Sequence, residues 1–182
     1  MKKKIIILNG SPRAKGNTSA LVEAFSKGAI EAGHEVTTFF LDQMSIKGCK
    51  GCFGGGKNVH SPCVIKDDMD LIYPVFQAAD IVVMASPMYY WNFSGQLRTT
   101  FDRLFAVAEA GGDYLGATKE SILIMAAAGE DFTEIDFYYN RLMQHLGWDD
   151  LGKIYAGGVN YIGDIKGRNE VEKAYLLGKN IM

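Results

Sequence analysis

Apolar runs of strand length alternate along this chain with segments of helical periodicity. The runs are Lys4 to Leu8, Val36 to Leu41, Ile81 to Ala85, Ile122 to Ala127 and Lys153 to Gly158. Apolar residues are nearly continuous within them, as in strands of a parallel sheet covered by helices on both faces, whereas a half-exposed antiparallel sheet would alternate. Between the runs, Leu21, Phe25 and Ala29 mark one helical face closed by Gly33, and Met69, Ile72, Tyr73 and Phe76 mark a second before Asp80. Leu97, Phe101 and Leu104 give a third stripe, Ile135 to Leu146 a fourth, and Val171 to Met182 the last. The alternation predicts right-handed βαβ crossovers and an α/β three-layer sandwich around a five-stranded parallel sheet of order 2-1-3-4-5.

Two stretches break the pattern, Gly48 to Pro62 and Gly111 to Ala117, both glycine-rich or polar and both long enough to be functional loops. With 182 residues, no internal repeat and no linker-like segment, one domain spanning 1–182 is expected. A composition 48% hydrophobic and 22% charged is that of a globular protein able to bury its own core. The formal net charge of -2 gives no footprint for nucleic acid, since Lys2, Lys3 and Lys4 are the one basic cluster. The apolar stretch after them ends at Leu8, too short for a signal-peptide core, and no window reaches membrane-span length. A cytoplasmic protein is expected. The clustering of all three cysteines between positions 49 and 63 fits a reducing compartment better than a spread disulfide framework.

The first chemical signal is Asn9-Gly10-Ser11-Pro12-Arg13-Ala14-Lys15-Gly16-Asn17-Thr18-Ser19, which leaves the first strand and opens the first helix. A helix N-terminus offers unpaired N–H groups and the positive end of its dipole; Ser11, Thr18 and Ser19 add hydroxyls and Arg13 a fixed positive charge. Together they suit a terminal phosphate. Neither a Walker ending nor a G-x-G-x-x-G turn is present, which sets aside an NTPase and a Rossmann dinucleotide site. The competing reading is an N-capping turn, for which the polar run is longer than needed.

The second signal is Ser86-Pro87-Met88-Tyr89-Tyr90-Trp91-Asn92-Phe93-Ser94-Gly95, directly after the third strand. Open α/β sheets bind ligands where the strand order reverses, as it does here. So many aromatic residues in one loop call for a flat apolar object or a subunit surface to cover them, and an isoalloxazine ring is such an object. Packing within the domain or in a dimer contact is the compatible alternative.

These two stretches resemble the NADPH-dependent FMN reductase family, flavodoxin-like proteins that include the iron-sulfur flavoproteins. The resemblance covers most of the chain. It implies that Gly10-Ser11-Pro12-Arg13-Ala14-Lys15-Gly16-Asn17-Thr18-Ser19 binds the FMN phosphate, that Ser86-Pro87-Met88-Tyr89 touches the flavin, and that Asp102-Arg103 matches the family's following helix. A third family loop, of small residues after strand four, corresponds to Ala126-Ala127-Ala128-Gly129-Glu130. There, flavin contact at Gly129 competes with ordinary packing of an alanine-rich strand end.

The segment Cys49-Lys50-Gly51-Cys52, with Cys63 before Val64-Ile65-Lys66, resembles the cluster segment of iron-sulfur flavoproteins. A [4Fe-4S] cluster wants four thiolates, and Gly55 stands where the next cysteine is expected. The remaining readings are a Cys3His zinc set completed by His60, a redox-active Cys49/Cys52 pair, and three reduced thiols without a role. No metal site is expected. His34 and His145 read as surface or capping residues, and Tyr138, Tyr139, Trp148 and Tyr161 as core or subunit contacts.

The expected activity is transfer of a hydride from NADPH or NADH to FMN and of electrons onward to a small acceptor such as a quinone or flavin, the two substrates alternating at one face of the ring. The chemistry is the cofactor's, so no catalytic protein residue is expected. Ser11, Arg13, Gly16, Asn17, Thr18 and Ser19 would anchor the phosphate; Pro87, Met88, Tyr89, Tyr90, Trp91, Asn92 and Gly129 would border the ring. The alternative is an electron carrier between redox proteins, of flavodoxin or iron-sulfur-flavoprotein type, although the acidity usual in flavodoxins is missing. The resemblance also implies a homodimer or homotetramer with the flavin near an interface.

Overall fold

The computed structural model describes residues 1–56, 58–112, 114 and 119–182. The strands are β1 (Lys4–Asn9), β2 (Glu35–Phe40), β3 (Ile81–Pro87), β4 (Glu120–Ala126) and β5 (Asp149–Ala156). The helices are α1 (Asn17–Glu31), α2 (Met69–Ala78), α3 (Gly95–Glu109), α4 (Thr133–Leu146) and α5 (Asn169–Lys179). All strand pairs are parallel, in the order β2-β1-β3-β4-β5. This is the flavodoxin-like α/β fold that the pattern predicts.

The near-continuous apolar runs follow from burial on both faces. In β1, Ile5 and Ile7 enter one core with Leu21, Val22 and Phe25, whereas Ile6 and Leu8 enter the other with Met69, Ile72, Phe76 and Leu97. The middle strands β3 and β4 alternate likewise. One layer is α1 with α5, which cross so closely that a Cβ on Gly28 would stand 2.0 Å from Tyr175 O and one on Gly178 2.2 Å from Phe25 O. No larger residue fits either position without parting the helices.

Strand β5 begins four residues earlier than expected, because it enters the sheet through exposed Asp149 and Asp150 and a register shift opposite Ser121/Ile122, where apolar patterning is silent. The loop expected over Gly111 to Ala117 falls largely outside the described residues. Chain order reverses between β1 and β3, so their carboxyl ends open the crevice in which such sheets take ligands.

Candidate active site

The crevice is built from four segments. The β1–α1 loop contributes Ser11, Arg13, Gly16, Asn17 and Thr18; the β3–α3 loop contributes Pro87, Met88 and Tyr89; the end of β4 contributes Ala126 to Ala128; and the β5–α5 loop contributes Val159 and Asn160. They enclose about 180 Å³. Backbone bonds fix the walls to one another: Gly10 N donates to Ala85 O (2.8 Å), Met88 N to Ala126 O (2.9 Å) and Val159 N to Ala127 O (2.9 Å).

The β1–α1 loop is held from inside by Asn9, which is buried. Its Nδ2 donates to Ser19 Oγ (3.1 Å) and its Oδ1 accepts from Ser11 N–H (3.0 Å). The Arg13 carbonyl is the hub of the turn: it accepts from Gly16 N–H at 2.9 Å, Ser19 Oγ at 3.1 Å and Ser11 Oγ at 3.2 Å. Ser11 Oγ also accepts from Arg13 N–H (3.2 Å) and, unlike Ser19, lines the crevice. Ser19 is spent on the loop itself and lies outside the crevice lining.

Helix α1 starts without a side-chain cap, because its N-cap is Gly16, and yet its first turn, Asn17, Thr18 and Ser19, is buried. A buried, uncapped helix start leaves N–H groups that require an acceptor. A Cβ at Gly16 would stand 2.9 Å from Arg13 Cβ and 3.0 Å from Arg13 O, so the closeness of this turn depends on the glycine. The Thr18 side chain enters no hydrogen bond and lines the crevice. These features fit a terminal phosphate. Asn17 instead joins two loops, donating from Nδ2 to Tyr161 O (3.0 Å) and accepting at Oδ1 from Ile165 N–H (3.4 Å). Exposed Arg13 reaches Asn160 O from Nη1 (3.0 Å).

The β3–α3 loop is fastened by serines. Ser86 Oγ accepts from Ser94 N–H (2.8 Å), and Ser94 Oγ donates to Gly10 O (2.8 Å) while accepting from Leu97 N–H as the cap of α3. Beyond Tyr89 the chain reverses in a tight turn closed by Tyr89 N to Asn92 O (3.0 Å) and Asn92 N to Tyr89 O (3.1 Å). Its two central residues, Tyr90 and Trp91, have φ of +48° and +58°, a conformation that bulky residues seldom adopt. Tyr90, Trp91 and Asn92 stand exposed on the rim, outside the crevice lining, with Tyr90 95% exposed.

Gly129 is exposed and also outside the lining, and a Cβ there would meet nothing within 4 Å. The close approach in this region is at Gly157, whose Cβ would fall 2.8 Å from Glu130 Cα. Sequence reasoning gave Asn9 no role of its own and missed Val159 and Asn160. The polar end of an otherwise apolar strand signals the first, and Gly157-Gly158 before Val159 was the available hint for the others.

Arg103 is fully buried. Its Nη1 donates to Asp67 Oδ2 (2.7 Å) and Lys47 O (2.7 Å), and its Nη2 to Asp67 Oδ1 (3.1 Å) and Ile65 O (3.2 Å). Burial pushes the Asp67 carboxyl up, but the Arg103 hydrogen bonds and the Lys47 and Met69 amides outweigh it and hold it below the usual range. The pair ties the Cys-bearing loop to α3.

A parallel five-stranded sheet with a phosphate-accepting helix start and a ring-sized crevice at its switch point defines a flavodoxin-like mononucleotide-binding protein. The family model for NADPH-dependent FMN reductases matches residues 3–152, and the chain belongs to that family. It is an NAD(P)H-dependent flavin oxidoreductase with FMN as cofactor. An iron-sulfur flavoprotein of Archaeoglobus fulgidus is 33% identical over 181 residues, 98% of this chain and 78% of the relative. Another, from Methanosarcina thermophila, is 39% identical over 100 residues, 55% of this chain and 51% of the relative, so that match spans about half of its length. An NAD(P)H:quinone oxidoreductase from Methanothermobacter marburgensis superposes with a TM-score of 0.73 over 100% of both chains at 18% identity, a likeness of fold.

The iron-sulfur name of the relatives does not carry over to the donor set here. The chain has three cysteines, and among the described residues no group of three or more His, Cys, Asp or Glu side chains is placed to hold a metal ion.

Proposed function

We propose that this chain passes electrons from a reduced nicotinamide, through FMN seated in the crevice, to a small acceptor such as a quinone or free flavin. The observation that carries the reading is the buried, uncapped first turn of α1 opening into the crevice that Pro87, Met88 and Tyr89 border. Bound FMN supplies the ring nitrogen that takes up the hydride and returns the electrons. The protein's part is binding and orientation: the amides of Asn17, Thr18 and Ser19, the hydroxyls of Ser11 and Thr18, and Arg13 hold the phosphate. Pro87, Met88 and Tyr89 border the ring, and Tyr90, Trp91 and Asn92 form a rim that excludes water from its edge. Asn17 and Ser19 keep the cradle in shape through their side chains.

A second reading, an electron carrier between redox proteins, draws support from relatives named iron-sulfur flavoproteins. The discriminating experiment is anaerobic. The purified protein is loaded with FMN, reduced with NADPH or NADH, and mixed with a quinone, with free flavin and with a reducible protein. Rapid bleaching by a nicotinamide and reoxidation by quinone or flavin support the reductase. Bleaching by dithionite but by neither nucleotide sinks it and leaves the carrier. Failure to bind FMN at all removes both.

No helix of the described residues is long and apolar enough to cross a membrane. Cytoplasmic residence and a homodimer or homotetramer complete the proposal. The oligomer has support in the exposed Tyr90, Trp91, Tyr161 and Ile162 around the crevice mouth, and a monodisperse monomer in light scattering would refute it.

A further inference from the structure

Residues 44–68, between the end of β2 with its short helical turn and the start of α2, contain no helix or strand among the described residues, and they carry every cysteine of the chain. Where an iron-sulfur cluster would need converging thiolates, this loop instead folds over α3 around a small pocket of about 70 Å³. Cys49, Cys52 and Cys63 line it, together with Phe53, Phe105 and Arg103. The lining is predominantly apolar but contains a buried cation.

Three features single out Cys63 and Cys52. First, the Arg103 guanidinium spends Nη1 and Nη2 on Asp67 and two carbonyls, yet its Nε–H is buried and has no partner. A buried N–H without an acceptor is costly, and the Cys63 sulfur, which lines the same pocket as Arg103, lies close enough to act electrostatically on both Arg103 and the Tyr73 hydroxyl. Second, Cys63 is only half-buried, so a small reagent can reach a sulfur that has this fixed donor behind it. Third, Cys52 Sγ and Val64 Cγ1, the latter on the residue that follows Cys63, both lie within 3.3 Å of the point where a Cβ on Gly54 would stand. The Cys49 sulfur is turned to its own loop, accepting from Gly51 N–H at 3.4 Å.

We propose that Cys63 and Cys52 form a reversible dithiol–disulfide site, oxidised by hydroperoxides, in the segment where the relatives' name points to a cluster. The Cys63 thiolate attacks one oxygen of the peroxide; the O–O bond breaks, sulfur gives up two electrons and becomes a sulfenic acid, and the departing oxide takes the thiol's proton to leave as water or an alcohol. The Cys52 thiolate then attacks that sulfur; the S–O bond breaks, an S–S bond forms, and hydroxide leaves with the Cys52 proton as water. The unshared Arg103 Nε–H is the buried donor that the sulfenic oxygen would take as its partner. Reduction by an external dithiol restores both thiols.

The test uses the full chain loaded with FMN and exposed to near-stoichiometric hydrogen peroxide, read by thiol titration and peptide mass mapping rather than by turnover. The expected result is a fall from three titratable thiols to one, a cross-linked peptide joining Cys52 to Cys63, a mass loss of two hydrogens, and recovery with dithiothreitol. In Cys52→Ser, Cys63 should accumulate as a sulfenic acid trapped by a 1,3-dione; in Cys63→Ser neither product should form. Arg103→Lys should slow loss of the Cys63 thiol on the order of tenfold, the worth of one charge-assisted hydrogen bond. Because that variant also disturbs the buried pair with Asp67, the two serine variants decide the matter independently. A Cys49–Cys52 cross-link, three intact thiols after peroxide, or a full iron-sulfur cluster in anaerobically isolated protein would each overturn the proposal.

Discussion

The turn at Tyr90-Trp91 stores conformational energy that a two-residue substitution should release. Both residues sit in the left-handed region, the arrangement of a type I′ turn, whose preferred occupants are Asn and Gly. A non-glycine residue there costs roughly 1–2 kcal/mol, so the pair holds about 2–4 kcal/mol of strain. Tyr90 is 95% exposed and Trp91 53% exposed, so their removal gives up only the covered part of Trp91, about 2 kcal/mol by area. Tyr90→Asn with Trp91→Gly should therefore stabilise the flavin-free protein by about 1 kcal/mol. For a chain of this size that is about 2–4 °C in Tm. The same change strips the rim of its aromatic surface, and loss of one aromatic contact at about 1–1.5 kcal/mol weakens FMN binding on the order of tenfold. Differential scanning of the flavin-free form and fluorescence titration with FMN measure the two effects separately. A double variant that melts no higher than the parent shows that the turn is unstrained. One that binds FMN as the parent does removes the rim from the site.

The phosphate cradle gives the next expectation: Gly16→Ala forces its methyl against the Arg13 backbone, costs about 1–3 kcal/mol of overpacking, and should weaken FMN binding at least as much as it lowers Tm in parallel titrations and melts. Ser94→Ala removes the α3 cap and leaves the buried Gly10 carbonyl without its 2.8 Å donor, so urea unfolding should show a loss of about 2–3 kcal/mol with an unchanged slope. Asp67→Asn strands the Arg103 guanidinium and should cost about 3–5 kcal/mol at neutral pH. Since the Asp67 carboxyl titrates lower in the folded than in the unfolded chain, its contribution is complete above the unfolded value near 3.9 and is lost as pH falls through the folded one. Melting curves of parent and Asp67→Asn should therefore draw together as pH falls below about 4, and a constant gap would refute the assignment.

What could be read from the chain was what repeats locally. Ile5 to Leu8 and Ile81 to Ala85 announce covered strands because both of their faces are dry, and Leu97, Phe101 and Leu104 announce α3 because they are spaced for one buried face. The β1–α1 loop was legible as an anion site because its run of donors exceeds what a helix start needs. The division of labour inside that loop was not legible. Ser11 and Ser19 look equivalent in sequence and both donate to the Arg13 carbonyl, and only the fold shows that Ser11 lines the crevice while Ser19 does not. The exposed rim was legible as an aromatic excess, but its backbone conformation was not, because Tyr-Trp is a poor sequence for a type I′ turn.

The pairing of Arg103 with Asp67 was hidden for a different reason. The two are 36 positions apart, and nothing local marks an arginine that follows an exposed aspartate as the buried member of a helix. Its consequence reaches both sites. The start of α3 is joined to the flavin crevice through Ser94 and Gly10, while Arg103, nine residues on and about 14 Å along the helix axis, anchors the cysteine loop. Four of the bonds that hold this loop to Arg103 end on Asp67 and on the Lys47 and Ile65 carbonyls, none of them on sulfur. The loop therefore stays attached to α3 whatever its thiols carry.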